Sequence, residues 1–164
     1  MITTKKERYY LQTLRYNNNT YNEVQRYKRE KNIVGSFYNV PREIKKSLMP
    51  LCKIFVFEMN NEKNQIMGIG YIINHNKYDK FHRVHIDNFY NLYSYKGKQH
   101  VNREHIISNL DYIPILETLE HIVFKGKNHI KRGQGFISIP EKKLKEYKDI
   151  KKKIFYMLKN LFNI

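Results

Sequence analysis

Between Phe124 and Phe136 the chain reads FKGKNHIKRGQGF, gathering Lys125, Lys127, Lys131 and Arg132 around Gly126, Gly133 and Gly135. Cationic side chains beside glycines, which leave backbone N–H groups open, suit close contact with phosphate oxygens. A plain basic hairpin loop could share this composition, though the density of charge argues against it. An earlier run, Tyr95–Arg103, matches Phe124–Arg132 in Lys, Gly, Lys, His and Arg, and it adds Lys96, Lys98 and Arg103 to the candidate phosphate contacts. Two copies are too few for a repeat architecture, and coincidence in a lysine-rich chain is the competing explanation.

Residue patterns that support catalysis are missing. The seven histidines come without a cysteine cluster or an H-E-x-x-H helix. His82 and His85 fall on an expected strand at odd spacing, so they should face opposite sides and not share a metal. Glu117 and Glu120 read as solvated charge on an amphipathic helix. Gly68 and Gly70 lack the third glycine of a dinucleotide fingerprint, and no G-x-x-x-x-G-K-[ST] phosphate loop occurs. The expectation is a binding protein with no cofactor and no metal.

Charge points the same way. Lys and Arg number 31 against 15 Asp and Glu, a formal net charge of +16. That excess attracts polyanions. An AT-rich genome, such as that of a large DNA virus, would by itself enrich Lys, Asn, Ile and Tyr, but would not hold Glu so far below Lys. The 14 tyrosines and nine phenylalanines could supply stacking faces for bases. Tyr38, Tyr71, Tyr93 and Tyr95 stand near expected strand ends or the glycine-bearing strand. The single cysteine, Cys52, excludes an internal disulfide and fits a buried thiol in a reducing compartment. With no span-length apolar run and no hydrophobic block near the start, the expected location is intracellular, away from membranes.

At 164 residues the chain is read as one domain. Residues 1–32 are expected to form a helical lead-in: Tyr9, Tyr10, Leu11 and Leu14 follow a rough helical period, Asn17–Asn19 is turn-prone, and Thr20 with Glu23 has capping-box spacing. Residues 33–140 would form the core. It holds a strand through Val40, a short helix from Pro41 to Met49, an apolar strand Cys52–Met59, a polar reversal over Asn60–Asn64 and a return strand Gln65–Ile73. Gly68 and Gly70 share a face of that return strand, where they admit a bulge, a sharp bend or a closely approaching ligand. Phe81–Ile86 alternates like a strand, and Pro114 to Ile122 reads as a helix. Residues 141–164 would be one long amphipathic helix opened by Pro140, with Leu144, Tyr147, Ile150, Ile154 and Met157 inward and lysines outward.

Several of these stretches together resemble the PUA-like superfamily, in particular its YTH and EVE domains. Ser36–Val40 resembles the opening strand. Ile54–Met59 followed by Ile66–Ile72 is similar to the family's apolar strand and small-residue strand, Phe81–Val84 to the next strand, and Leu119–Pro140 to the segment that sets basic residues against a phosphate backbone. The resemblance covers the middle two-thirds of the chain. It implies an α+β fold built on a small mixed β-barrel with flanking helices, which binds RNA or DNA, often through one modified base. It places Lys131 and Arg132 at the phosphate contact and Ser36, Phe37 and Tyr38 on the wall of a base pocket, near Gly68, Gly70 and Tyr71. The family's aromatic cage typically includes tryptophan and this chain has none, so Tyr or Phe would have to serve. The resulting expectation is a non-catalytic nucleic-acid-binding module that favours RNA over DNA. A structural or adaptor protein that uses its basic surface for packaging or for docking a protein partner is the alternative, and a nuclease or nucleic-acid-modifying enzyme is a third reading.

Overall fold

The computed structural model describes residues 8–48, 50–74 and 81–164. The first seven residues of the expected lead-in, and Met49, lie outside the described residues. The fold is α+β, built on a five-stranded mixed sheet in the order β6-β4-β3-β1-β7. The strands are β1 (Tyr9–Tyr16), β3 (Lys53–Asn60), β4 (Gln65–Ile73), β6 (Gln99–Asn102) and β7 (Ile137–Ser138), and a separate ribbon pairs β2 (Ser36–Val40) with β5 (Tyr93–Gly97). The helices are α1 (Asn18–Glu30), α2 (Arg103–Ile107), α3 (Ile113–Phe124), α4 (Glu141–Lys145) and α5 (Ile150–Phe162). The expected barrel is not closed: β6 and β7 are the two edges of an open sheet.

Its middle strand explains the arrangement. β3 is apolar on both faces because each face has its own core. Phe55, Phe57 and Met59 pack with Leu116, Leu119 and Ile154 from α3 and α5. Ile54 and Val56 pack with Val24 of α1 and with Phe37, Tyr38 and Tyr95 of the ribbon. β1 lies parallel to β3, Tyr9 opposite Lys53 and Tyr16 opposite Asn60. No helix among the described residues is long and apolar enough to cross a membrane.

Several expectations are corrected. The lead-in is not purely helical: Tyr9–Tyr16 is an interior strand, and burial on both faces hides the alternation that would have marked it. The first helix begins earlier than the Thr20–Glu23 spacing implied. Asn17 is its N-cap, accepting from the Thr20 N–H at 2.8 Å while its own N–H donates to Thr20 Oγ1 at 3.0 Å. Residues 41–48 form bends and turns instead of a helix, and the Ile44 N–H donates to the Tyr95 hydroxyl at 3.1 Å. Phe81–Ile86 is not a strand, since one side chain does the work of a neighbouring strand. Asn91 Oδ1 accepts from the Val84 and His85 N–H groups, and its Nδ2 donates to the His85 carbonyl at 2.7 Å.

The expected long C-terminal helix is two helices, with Asp149 between them at φ 58°. Leu144, Tyr147 and Ile150 advance in steps of three, which drift about 120° off a continuous helical stripe over two steps. The break resets the phase, so that Leu144 and Ile150 both reach the core. The two KGK runs also adopt unrelated structures, one spanning β5, β6 and the start of α2 and the other following α3, which favours coincidence over repetition.

At Gly70 ribbon and sheet are in close contact. A Cβ built there would lie 1.9 Å from the Tyr38 hydroxyl oxygen and 2.6 Å from Ser36 Oγ. Gly70→Ala should therefore destabilise the protein by about 1–3 kcal/mol through overpacking, measured by denaturant unfolding. An unchanged midpoint would show that the ribbon can move away from the sheet.

Candidate nucleic-acid interface

The residues expected to wall a base pocket are already occupied with one another. Ser36, Phe37 and Tyr38 are each 1% exposed. The space left by Gly68 and Gly70 is filled by a buried polar network. Glu58 faces Gly68 across the β3–β4 pair, accepts from the Tyr38 hydroxyl at 2.6 Å, and bonds His100 Nε2 at 2.9 Å. A Cβ on Gly68 would come within 3.0 Å of both Glu58 Oε1 and the His100 ring. The glycines thus admit a closely approaching group, and that group belongs to the protein itself. Tyr71 points to the other face, its ring 4.9 Å from that of Phe55.

The network shifts the Glu58 carboxyl and the phenols around it. Burial pushes the Glu58 carboxyl up, but the His100 imidazole, the hydrogen bonds from His100 and Tyr38, and the Lys28 ammonium outweigh it and hold the group below 4.5. Burial, then the Glu58 charge, raises the Tyr38 and Tyr16 phenols far above their ordinary value. The same causes push Tyr21 up to about 12. Lys28 is lowered by burial, against the opposing pull of Glu58.

The expected phosphate contacts divide among separate places. Arg103 is committed internally, donating to Glu120 Oε1 and to the Ile66 carbonyl, both at 2.8 Å. Glu120 is therefore an ion-pair partner and not simply solvated charge. Lys96 and Lys98 flank a groove of about 550 Å³ with Tyr71, Leu51 and Ile73. Lys125 and Lys127 line a cleft beside Lys142 and Lys143. Lys131 and Arg132 precede Gln134 and Gly135, which line a third cavity.

That cavity has a volume of about 210 Å³ and lies where the parallel strands β1 and β3 end. The carboxyl ends of parallel strands are a common place for ligands in open sheets. Its wall takes Arg15 and Tyr16 from β1, Thr20 from α1, Asn61 from the turn after β3, and His85 and Tyr90 from the loop before β5. Gln134 and Gly135 close the far side. The Lys131 carbonyl accepts from Asn61 Nδ2 at 2.8 Å and from Arg15 at 3.4 Å, so the Lys131–Arg132 segment is pinned to this wall. The Lys131 ammonium donates to Asn64 Oδ1 at 2.7 Å, while Arg132 is exposed.

Two features define the cavity wall. The Asn61 amide is fixed there, its Nδ2 bonded to the Lys131 carbonyl and its Oδ1 buried with no hydrogen-bond partner among the described residues. His85 Nδ1 bonds the Glu23 carboxylate at 2.6 Å, and its ring meets that of Tyr90 edge-on at 5.9 Å, so both rings on that wall have fixed orientations. His82, by contrast, bonds the Tyr27 hydroxyl at 2.7 Å inside the second core. Asn61, Tyr90 and Arg15 were not singled out from the sequence, and nothing local marks them. Glu58 did carry a signal, as the one carboxylate in a run otherwise apolar on both faces. Among the described residues no group of three or more His, Cys, Asp and Glu is placed to hold a metal ion.

Because the Glu58 carboxyl is held below its unfolded value, its stabilisation is present in full above about pH 4.5 and is lost as pH falls through the depressed value. Thermal unfolding followed from neutral pH into the acid range should show this loss, and Glu58→Gln should remove it. At neutral pH, Tyr38→Phe should cost about 1.5–3 kcal/mol and Glu58→Ala roughly 3–5 kcal/mol. No family model matches the chain, and comparison with curated proteins and with solved structures likewise gives no match.

Proposed function

We propose that the protein is a non-catalytic nucleic-acid-binding module of PUA-like type that accepts one unpaired base in the cavity between Asn61 and Tyr90, with RNA the favoured partner. The cavity carries the reading. Its volume of about 210 Å³ is below the roughly 300–1,000 Å³ of pockets for drug-sized ligands, which suits a single planar ring system better than a whole nucleotide. Tyr90 offers a ring face for stacking, and Arg15 and His85 on the same wall offer polar groups to a base edge. Arg132, exposed and next in the chain to Lys131, whose carbonyl Asn61 and Arg15 hold, suits the phosphate of the same nucleotide. The +16 net charge supplies long-range attraction. The base site of this proposal lies away from Gly68 and Gly70, because Tyr38 and the Glu58–His100 pair fill the space there.

A second reading, docking of a protein partner, is favoured by one observation: Leu51 is 67% exposed and Ile73 48% exposed in the groove flanked by Lys96 and Lys98.

Binding to matched single-stranded RNA, single-stranded DNA and duplex probes across a salt series tests the proposal. Tyr90→Ala should weaken single-strand binding by about 1–3 kcal/mol, the worth of one stacked base. Arg132→Ala should reduce the slope of log affinity against log salt by about 0.7, the worth of one phosphate contact. Duplex bound as well as single strands, with neither substitution mattering, would overturn the base-pocket reading. Loss of nucleic-acid binding from none of these variants, together with partner capture that Leu51→Glu abolishes, would favour the docking surface.

A further inference from the structure

The cleft between the end of α3 and α4 has no role in the base cavity, yet four lysines line it. It has a volume of about 560 Å³, and Lys125, Lys127, Lys142 and Lys143 line it together with His121 and Tyr147. Glu146 is the one carboxylate on its wall. Lys143 is spent locally. Its ammonium donates to the Ile122 carbonyl at 3.0 Å, capping the last turn of α3, and burial lowers its pKa against the opposing pull of Glu146. Lys125, Lys127 and Lys142 are exposed and have no carboxylate partner among the described residues. Three unneutralised ammonium groups around one recess raise the local potential unless an anion sits among them.

The recess is shaped as well as charged. Gly126 holds φ +77°, and the position of an added Cβ there is empty to 4 Å, so the Lys125–Lys127 turn presents its backbone to open space. Behind it, the Ile130 N–H donates to the Val123 carbonyl at 2.9 Å and fixes the turn against α3. Tyr147 and His121 meet edge-on at 6.1 Å on the opposite wall, leaving ring surface beside the cations.

One short segment joins this cleft to the base cavity. Lys127 is in the cleft, and Lys131 is held to the cavity wall by Arg15 and Asn61. Four residues span at most about 14 Å, a distance that a few nucleotides of a single strand cover.

We infer that the strand that places a base in the Asn61–Tyr90 cavity continues along residues 127–131, and that the α3–α4 cleft binds its neighbouring phosphates through Lys125, Lys127 and Lys142, with Tyr147 beside the strand. This rests on the reading under Proposed function and extends the footprint from one nucleotide to several. Specificity for a base belongs to the cavity, and the cleft adds affinity that any sequence can use.

The test measures binding of a trinucleotide, a hexanucleotide and a dodecanucleotide of single-stranded RNA by the wild type and by a Lys125→Ala/Lys127→Ala variant. Inorganic pyrophosphate serves as a separate probe. Wild-type affinity should rise at least tenfold from the shortest to the longest probe. The double variant should lose most of that rise and have a salt slope lower by about 1.4 on the dodecanucleotide, two contacts at about 0.7 each, while binding the trinucleotide as the wild type does. Tyr147→Phe should leave affinity intact and Tyr147→Ala should lower it, which separates ring stacking from a hydroxyl contact. Trinucleotide binding without any gain in length would overturn the inference and leave the base cavity standing. Pyrophosphate binding that the double variant abolishes, with no RNA bound at any length, would overturn both readings and assign the cleft to a small phosphorylated ligand.

Discussion

A carboxylate inside an apolar core is the constraint around which the fold is arranged. Left alone, Glu58 would cost several kcal/mol of desolvation. The cost is offset only because Tyr38 from the ribbon and His100 from the edge strand both reach its oxygens. Those two residues come from different sheets, so the carboxylate fastens the β2–β5 ribbon and β6 to the same point on β3. Gly68 and Gly70 follow from it, since side chains there would collide with the network. So does the irregular register between Glu58 and Met59, where the strand departs from regular pairing beside the carboxylate.

Beyond the ribbon, the far ends of β1 and β3 run out beside the cavity. The chain leaves β1 at Tyr16, turns at once into the Asn17-capped helix, and leaves β3 into the Asn60–Asn64 turn. The Asn61 N–H donates to the Tyr16 carbonyl at 2.8 Å, so the two exits are tied to each other. Glu23, which does not cap the helix, is therefore available to orient His85 on the cavity wall. Rigidity at the base of the cavity and exposure at its rim arise from one set of contacts. Such a division suits selective capture of a small planar group, because little further ordering is needed on binding.

How much could be read in the chain beforehand depends on whether a signal was local. The β3–β4 hairpin was legible because an unbroken apolar run, a polar reversal and a return strand are all contiguous. α3 was legible because its apolar face has helical spacing, and Cys52 was legible as a buried thiol. β1 was misread as helix because cores on both sides remove its alternation. Residues 81–86 alternate like a strand, but their backbone partner is the Asn91 side chain, which no periodicity reveals. Lys131 and Arg132 were singled out as a basic pair beside glycines, and the Lys131 carbonyl is bonded to Asn61 and Arg15 of the cavity wall. The cavity itself was not legible, because its walls come from five distant stretches.

The pairing of β1 with β7 has a consequence for the chain as it is made. β1 lies inside the sheet, yet one of its edges is covered only by Ile137–Ser138, where Gln12 Nε2 donates to Ser138 Oγ across 126 residues of sequence. Until residue 138 leaves the ribosome, that edge presents unpaired N–H and C=O groups of the kind that recruit strands from other molecules. Loop closure over so long a stretch makes this the slow contact of the sheet. The strand that begins the fold is thus the last to be completed, and the nascent chain is most exposed to misassembly with its neighbours during the interval between them.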